Sequence, residues 1–400
     1  MTALGQQQRK PASSTTHAGG RRRAVAMTIG LFIACFLVTR QTQVPALGGL
    51  AAPWSLLVVV LGLRWQGSVA SLLPMCAYGS MSLLGSLLLG VEPASAMRFL
   101  LVTVGTLLAF HIAPTAISAR LTLIPLVLQS VLIVGISLSL AVLQDLEAAS
   151  AIRSMVLESN WGDIYSFDGV YYRVQLIGNA LIPLVFLVSL WRWRKGLFYR
   201  AAAAVSLLGL VAAGNLTYVL VAIVAILMRT WQLARRSVAA RVMIGLVVCA
   251  ALVLAWDTAS DAFDKKFGAS DSSMGVRFDQ IDVAVSLWGE SPLRFVLGAG
   301  LGSSFPNGRE RAYSESQYIE LQSLYLFVQL GLLGSTIYLV SLAFSARHCL
   351  STDGQKIFWL YMLSGITNPY ILDTNQIIAA MLLVCLFPRR ACVPPSSSIP

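Results

Sequence analysis

Residues 201–228 read AAAAVSLLGLVAAGNLTYVLVAIVAILM, 28 apolar or small residues without a charge. Basic clusters flank the run on both sides, Arg192, Arg194, Lys195 and Arg200 before it and Arg229, Arg235, Arg236 and Arg241 after it. About twenty apolar residues cross a bilayer as one helix, so the run is either one long tilted span or two short ones. Lys and Arg collect on the cytoplasmic side of membrane proteins. Two basic flanks put both ends of the run on that side, which predicts two short helices turning near Gly214-Asn215. One long tilted helix would instead invert the side of everything downstream.

The rest of the chain follows the same grammar. It is 56% hydrophobic and only 12% charged, with a mean hydropathy of +0.73. Soluble proteins carry roughly 25% charged residues. Inside a bilayer the backbone must satisfy its own hydrogen bonds, so the apolar runs are helices. Starting from Arg21-Arg22-Arg23 as cytoplasmic, the spans alternate over 24–39, 46–63, 68–90, 97–115, 121–143 and 175–191. They continue as the pair within 201–228, then 242–256, 321–345, 357–372 and 376–388. The expected class is an all-α polytopic membrane protein of about 12 transmembrane helices, with long external loops at 144–174 and 257–320. Residues 1–23 read as a disordered cytoplasmic tail, 24–390 as one transmembrane domain and 391–400 as a second cytoplasmic tail.

The net charge of +11 does not point to nucleic acid. Outside the two long loops stand 21 Lys/Arg against three acids, Glu92, Asp353 and Asp373. Most of those basic residues lie in short connections, and only Arg40 and Arg98 fall on the external side of the alternation. The six cysteines have no disulfide or metal-ligand spacing. No cofactor or metal is expected.

Charge of both signs concentrates in the loops, which hold 15 of the 18 acids. Most of these side chains read as a solvated surface. Arg173, in Tyr171-Tyr172-Arg173-Val174-Gln175, stands where the first loop re-enters the membrane. It either snorkels to lipid phosphate or holds a phosphate-bearing substrate. Residues 277–288 fit an amphipathic helix with Phe278, Ile281, Val285 and Trp288 on one face and Arg277 and Gln280 beside it. Leu297-Gly-Ala-Gly300-Leu-Gly302 suits a tight turn or an anion-binding nest, and lacks the spacing of a nucleotide fingerprint. Glu315 and Glu320 precede the span at 321–345, and Tyr318, Gln322, Tyr325 and Gln329 form a polar stripe into it. Such a stripe lines a cavity or a helix contact. Glu320 at its mouth is either a general base or a helix-end carboxylate, with Glu315 next in line.

Together these motifs resemble a known family. Tyr172-Arg173-x-Gln175, Arg277-x-x-Gln280, Glu290-Ser-Pro292, Gly298-Ala-Gly300-Leu-Gly302, Tyr318-Ile-Glu320 and Gly331-Leu-Leu-Gly334 look like the O-antigen ligase/polymerase family, over roughly residues 160–345. The resemblance implies a Wzy-type polymerase of undecaprenyl-pyrophosphate-linked repeat units, in O-antigen or exopolysaccharide synthesis at the outer face of the bacterial inner membrane. It implies Arg173 and Arg277 as ligands of the lipid pyrophosphate, with Gln175, Gln280, Gly300 and Gly302 as further substrate-binding residues. The partners implied are the lipid-linked glycan, membrane lipid, a flippase and a chain-length regulator. Ligases of the family carry a histidine before the span at 321–345, whereas His17, His111 and His348 lie elsewhere. The family's Ser-Arg-Gly in the short-helix pair reads Ala213-Gly214-Asn215 here. Both departures weigh against a ligase more than against a polymerase. The competing classes are that ligase and a lipid-linked oligosaccharide flippase or other transporter.

Overall fold

The computed structural model describes residues 15–39, 47, 49–63, 72–143, 146–159, 161–166, 172–234, 273–303, 305–306, 315–316, 321–366 and 373–389. The predicted span 242–256, Glu320 and the tail 391–400 lie outside them. Helix α1 (Thr15–Thr39) begins within the predicted tail, because 15–23 continues the helix of the apolar run behind it. Next come α2 (Ala51–Gly62), α3 (Leu73–Leu88), α4 (Pro93–Phe110) and α5 (Ala119–Leu143). The first long loop has its own structure, α6 (Leu146–Glu158) and a hairpin of β1 (Gly162–Ser166) and β2 (Tyr172–Leu176). A 3-10 turn (Asn179–Leu181) leads into α7 (Ile182–Trp191).

Residues 201–228 form two helices, α8 (Leu197–Ala212) and α9 (Leu216–Leu233). Gly214 takes a left-handed φ of 62° between them, and the Asn215 side chain accepts from the Thr217 N–H to start the second. The chain resumes with α10 (Ser273–Glu290), α11 (Pro292–Leu297), the short pair β3 (Phe305–Pro306) and β4 (Glu315–Ser316), and α12 (Gln322–Cys349). It closes with α13 (Thr352–Ser364) and α14 (Thr374–Leu386). Among the described residues, four helical stretches are long and apolar enough to cross a membrane: Gly20–Thr39, Pro93–Phe110, Ala119–Val142 and Ser323–Cys349. Six shorter apolar helices accompany them.

The core is built around α14, which is buried along its whole length against α1, α2, α4 and α13. A helix apolar on every side belongs at the centre of a bundle. Of its three buried polar residues, Thr374, Asn375 and Gln376, the last is held from two sides: Tyr338 Oη donates to Oε1 at 2.9 Å and Thr106 Oγ1 lies 3.4 Å from the same oxygen.

Contacts sort the helix ends into two layers. In one, the backbone of Gly178 lies against Thr39, Arg173 against Gly214, Gly302 against Ala96, and Arg98 pairs with Asp373. In the other, Leu63 bridges Ile112 and Leu350 bridges Pro388. There Arg192 Nη2 donates to the Leu386 carbonyl at 2.6 Å and Arg229 Nη2 to the Trp191 carbonyl at 3.2 Å. Arg192 and Arg229 thus sit on the C-terminal ends of α14 and α7, where the helix dipole favours cations. α8 runs from the arginine-rich layer to the other, and α9 returns.

Candidate functional site

Arg173 is positioned by the hairpin in the first long loop. β1 and β2 pair antiparallel, Tyr165 opposite Arg173 and Asp163 opposite Gln175. Tyr172, Val174 and Leu176 alternate into the core, which leaves Arg173 and Gln175 half-buried on the other face. The hairpin is tied down at several points. Arg153 grips the Asp163 carboxylate through Nε at 2.9 Å and Nη2 at 3.3 Å. Asn179 Nδ2 donates to the Val174 carbonyl at 3.0 Å, and Ser137 Oγ to the Tyr172 carbonyl at 3.3 Å. The Arg173 side chain runs over the turn between α8 and α9. A Cβ at Gly214 would come within 2.7 Å of its Nε, so that glycine is required by space as well as by φ.

Arg277 and Gln280 stand on α10, but the buried face differs from the one the apolar residues suggest. Gln280 and Ala284 are buried, Arg277, Leu287 and Trp288 are half-buried, and Phe278 and Val285 are exposed. Ala284 is small enough to bring α10 close to Val328 of α12, where Leu321, Leu324 and Tyr325 complete a small cluster. Arg277 and Gln280 therefore lie on the side of α10 that packs on α12. Trp288 closes the junction with α11, edge-on to Phe295 at 5.7 Å. The main supports of β2 are α5 and α8, and those of α10 are α11 and α12.

The glycine turn is a helix cap. α12 is interrupted at Gly331 (φ 64°, ψ −176°), which leaves the carbonyls before the break without helical donors. Two other donors supply them: the Ala299 N–H reaches the Val328 carbonyl at 2.8 Å, and Tyr78 Oη reaches that of Leu330 at 2.6 Å. Ser335 Oγ, from beyond the break, adds a contact to the Leu326 carbonyl at 3.2 Å. The Tyr78 hydroxyl also lies 2.9 Å from the Leu297 carbonyl. Gln329, fully buried, accepts from the Gly302 N–H at 2.5 Å and donates to the Ser303 carbonyl at 3.0 Å. Gly302 thus directs its N–H into the protein, and Gly300 lies against Ser86. Gln329 therefore contacts the protein itself, though its partner is the glycine turn rather than a helix. Tyr325, one turn into α12, stacks edge-on with Phe99 at 5.5 Å.

Glu315 lies on β4, its backbone opposite Pro306. Glu320 immediately precedes Leu321 in sequence and is outside the described residues.

Arg98 and Asp373 are not among the site residues expected from the sequence. Arg98 Nη2 lies 3.4 Å from Asp373 Oδ1, and the Arg98 side chain is 75% exposed. They edge a cleft of about 290 Å³ lined by apolar side chains of α2, α4 and α14. The signal available was the anomaly of charge, since Arg98 is one of the two basic residues that break the alternation. No family model matches the chain, and comparison with curated proteins finds no match.

Proposed function

We propose that this protein is a polymerase of lipid-linked oligosaccharide repeat units. It would work at the outer face of a bacterial cytoplasmic membrane, with both termini in the cytoplasm. The observation that carries the reading is the gathering of chemistry at one end of the bundle. Arg173, the α10 helix bearing Arg277 and Gln280, and the beginning of α12 all stand opposite the end where Arg192 and Arg229 cap helices. Under the positive-inside rule the arginine-capped end is cytoplasmic, which puts the first group outside.

In the reaction, an acceptor sugar hydroxyl attacks the anomeric carbon of the donor glycan. The bond from that carbon to the lipid pyrophosphate oxygen breaks, and the hydroxyl proton passes to Glu320. The departing pyrophosphate gains negative charge, and guanidinium groups fixed nearby stabilise it in a water-poor site. A ligase would run the same chemistry toward a different acceptor. A flippase would leave the glycosidic bonds untouched.

The test is reconstitution of the full chain in proteoliposomes with lipid-linked repeat units. A ladder of longer glycans, lost in Arg173→Ala and Arg277→Ala and only partly restored by Lys, is the expected result. Lys offers a point charge where Arg offers a planar fork. Transport of the repeat without chain growth would overturn the polymerase reading in favour of a flippase.

A further inference from the structure

We propose that the arginine-capped end of the bundle seats an anionic phospholipid with two phosphates in its headgroup, in the notch between the starts of α5 and α8. The cations of the seat are Arg120, Arg194, Lys195 and Arg200. Arg120 is the second residue of α5. Arg194 and Lys195 close the 3-10 turn Trp193–Lys195, and Arg200 is the fourth residue of α8. α5 and α8 pack along each other, and the Arg120 side chain reaches across to the turn. A Cβ at Gly196 would lie 3.6 Å from Arg120 Nη2 and within 4 Å of no other atom beyond its chain neighbours. The guanidinium and the three cations around Gly196 therefore border one open space.

Four like charges in one place repel, and the protein does not offset them. All four side chains are exposed, and none has an ion-pair partner among the described residues. The acids outside the two long loops are committed elsewhere. Asp373 pairs with Arg98 and Glu92 precedes α4, both in the other layer, and Asp353 lies 3.8 Å from Lys356. The placement on the helices deepens the deficit. A helix N-terminus is the positive end of the dipole and favours acids. Neither α5 nor α8 has an acid in its first turn. Arg192 and Arg229, in the same layer, show the favourable arrangement: each donates to a carbonyl at a helix C-terminus. The positive-inside bias explains cations on this side. It does not explain four of them gathered at two adjoining helix starts.

The neighbours of the cations select the ligand. Trp193 and Leu197 are exposed within the same short stretch. Tryptophan belongs at the membrane–water boundary, which puts the patch at headgroup depth. Acyl chains can lie against these apolar side chains while the headgroup meets the cations, whereas a soluble anion would leave them in water. Guanidinium forks match phosphate oxygens. Basic pockets between membrane helices on the cytoplasmic side take headgroups of concentrated negative charge. Four cations balance two phosphates better than one, and a zwitterionic headgroup would bring its own cation into the notch. The ligand inferred is therefore a cardiolipin-type lipid of the cytoplasmic leaflet.

The test titrates cardiolipin into the full chain in phosphatidylcholine nanodiscs and follows the bound lipid by native mass spectrometry. A basic residue near an anionic membrane surface contributes about fivefold in affinity. Arg120→Ala and Arg200→Ala should each weaken cardiolipin binding about fivefold, and the double variant about 25-fold. Arg120→Lys keeps the charge without the fork and should fall between the wild type and Arg120→Ala. Arg347→Ala removes an exposed cation of the same layer from the last turn of α12 and should leave binding unchanged. Wild-type affinity in the double variant overturns the seat. Equal weakening by Arg347→Ala reduces it to diffuse attraction and overturns it as well. Phosphatidylglycerol binding as tightly as cardiolipin overturns the choice of a two-phosphate headgroup. Displacement of cardiolipin by inorganic pyrophosphate at equal concentration overturns the role of the acyl chains. The polymerase reading stands or falls separately, since none of these four cations belongs to the proposed reaction site.

Discussion

Gly298 and Gly331 meet backbone to backbone at the break in α12. A Cβ at Gly298 would fall 2.6 Å from the Gly331 nitrogen, and a Cβ at Gly331 would overlap the backbone of 296–298. Both have left-handed φ, 85° and 64°. This contact brings Ala299 to the orphaned Val328 carbonyl and places the Tyr78 hydroxyl between the Leu330 and Leu297 carbonyls, where its one proton can go to either.

Alanine at either glycine is expected to destabilise the protein by well over about 1 kcal/mol, since the wrong φ and the overlap add. Tyr78→Phe removes only the hydroxyl and should cost about 0.5–1.5 kcal/mol, the usual net worth of a hydrogen bond, since Tyr78 is half-buried and its contact to Leu297 is exposed. Gly85→Ala in α3, where a Cβ meets nothing within 4 Å, is the control and should be neutral or slightly stabilising. Thermal unfolding in detergent ranks the four variants. A neutral Gly331→Ala would sink the account of the break as a built feature.

Much of the framework was legible in the sequence, and for a definite reason. Basic residues flank the apolar runs, and Gly214-Asn215 supplies both a left-handed turn and a helix cap, so the pair α8–α9 could be read directly. The packing of α10 could not. Close approach of two helices needs a small residue at the contact, and Ala284 supplies it opposite Val328, so it decides which side of α10 is buried while Phe278 and Val285 stay exposed. Gln329 left two readings open for a related reason. A polar residue in a span signals a partner without saying whether it is a ligand or the chain itself. Here it is the backbone at Gly302 and Ser303, more than twenty residues earlier in sequence.

Arg173 and Gly214 should be coupled. Gly214→Ala puts a methyl group where the arginine side chain lies, and it also forces a left-handed φ on alanine. Shortening Arg173 relieves the first penalty but not the second. The double variant Gly214→Ala/Arg173→Ala is expected to be more stable than the sum of its parts by about 0.5–3 kcal/mol, the range for residues in contact. Strict additivity in a double-mutant cycle would mean that the arginine does not rest on the turn. Asn215→Ala, which loses the side-chain cap to Thr217, should cost about 1 kcal/mol independently of Arg173.

The two basic clusters around α8 and α9 should report from the same side of the membrane. α8 leaves the layer of Arg192, and α9 brings Arg229 back to the Trp191 carbonyl. Reporter fusions at Arg200 and at Arg236 are expected to give matching cytoplasmic signals. Signals from opposite sides would contradict the return of α9. Matching periplasmic signals would keep the helix pair and invert the assignment of inside and outside.

Glu320 is the sharpest test of the proposed chemistry. An acceptor hydroxyl is a poor nucleophile, and removal of its proton in the transition state by a positioned base contributes typically 10²–10⁴-fold. In sequence Glu320 adjoins Leu321, whose helix packs against the α10 face bearing Arg277 and Gln280 and carries Tyr325 toward Arg98. The rival role is electrostatic. A carboxylate at the start of α12 would stabilise the helix by about 0.3–1 kcal/mol and do nothing else. Glu320→Gln separates the two, because it preserves size and hydrogen bonding and removes the capacity to take a proton. As a base, Glu320 predicts a fall in turnover of about a hundredfold or more, with binding of the lipid-linked repeat retained and unfolding temperature nearly unchanged. As a helix-end charge, it predicts a small drop in stability and near-normal polymer. In that second case the same substitution at Glu315 becomes the next measurement, since β4 carries that carboxylate only a few residues before α12 begins.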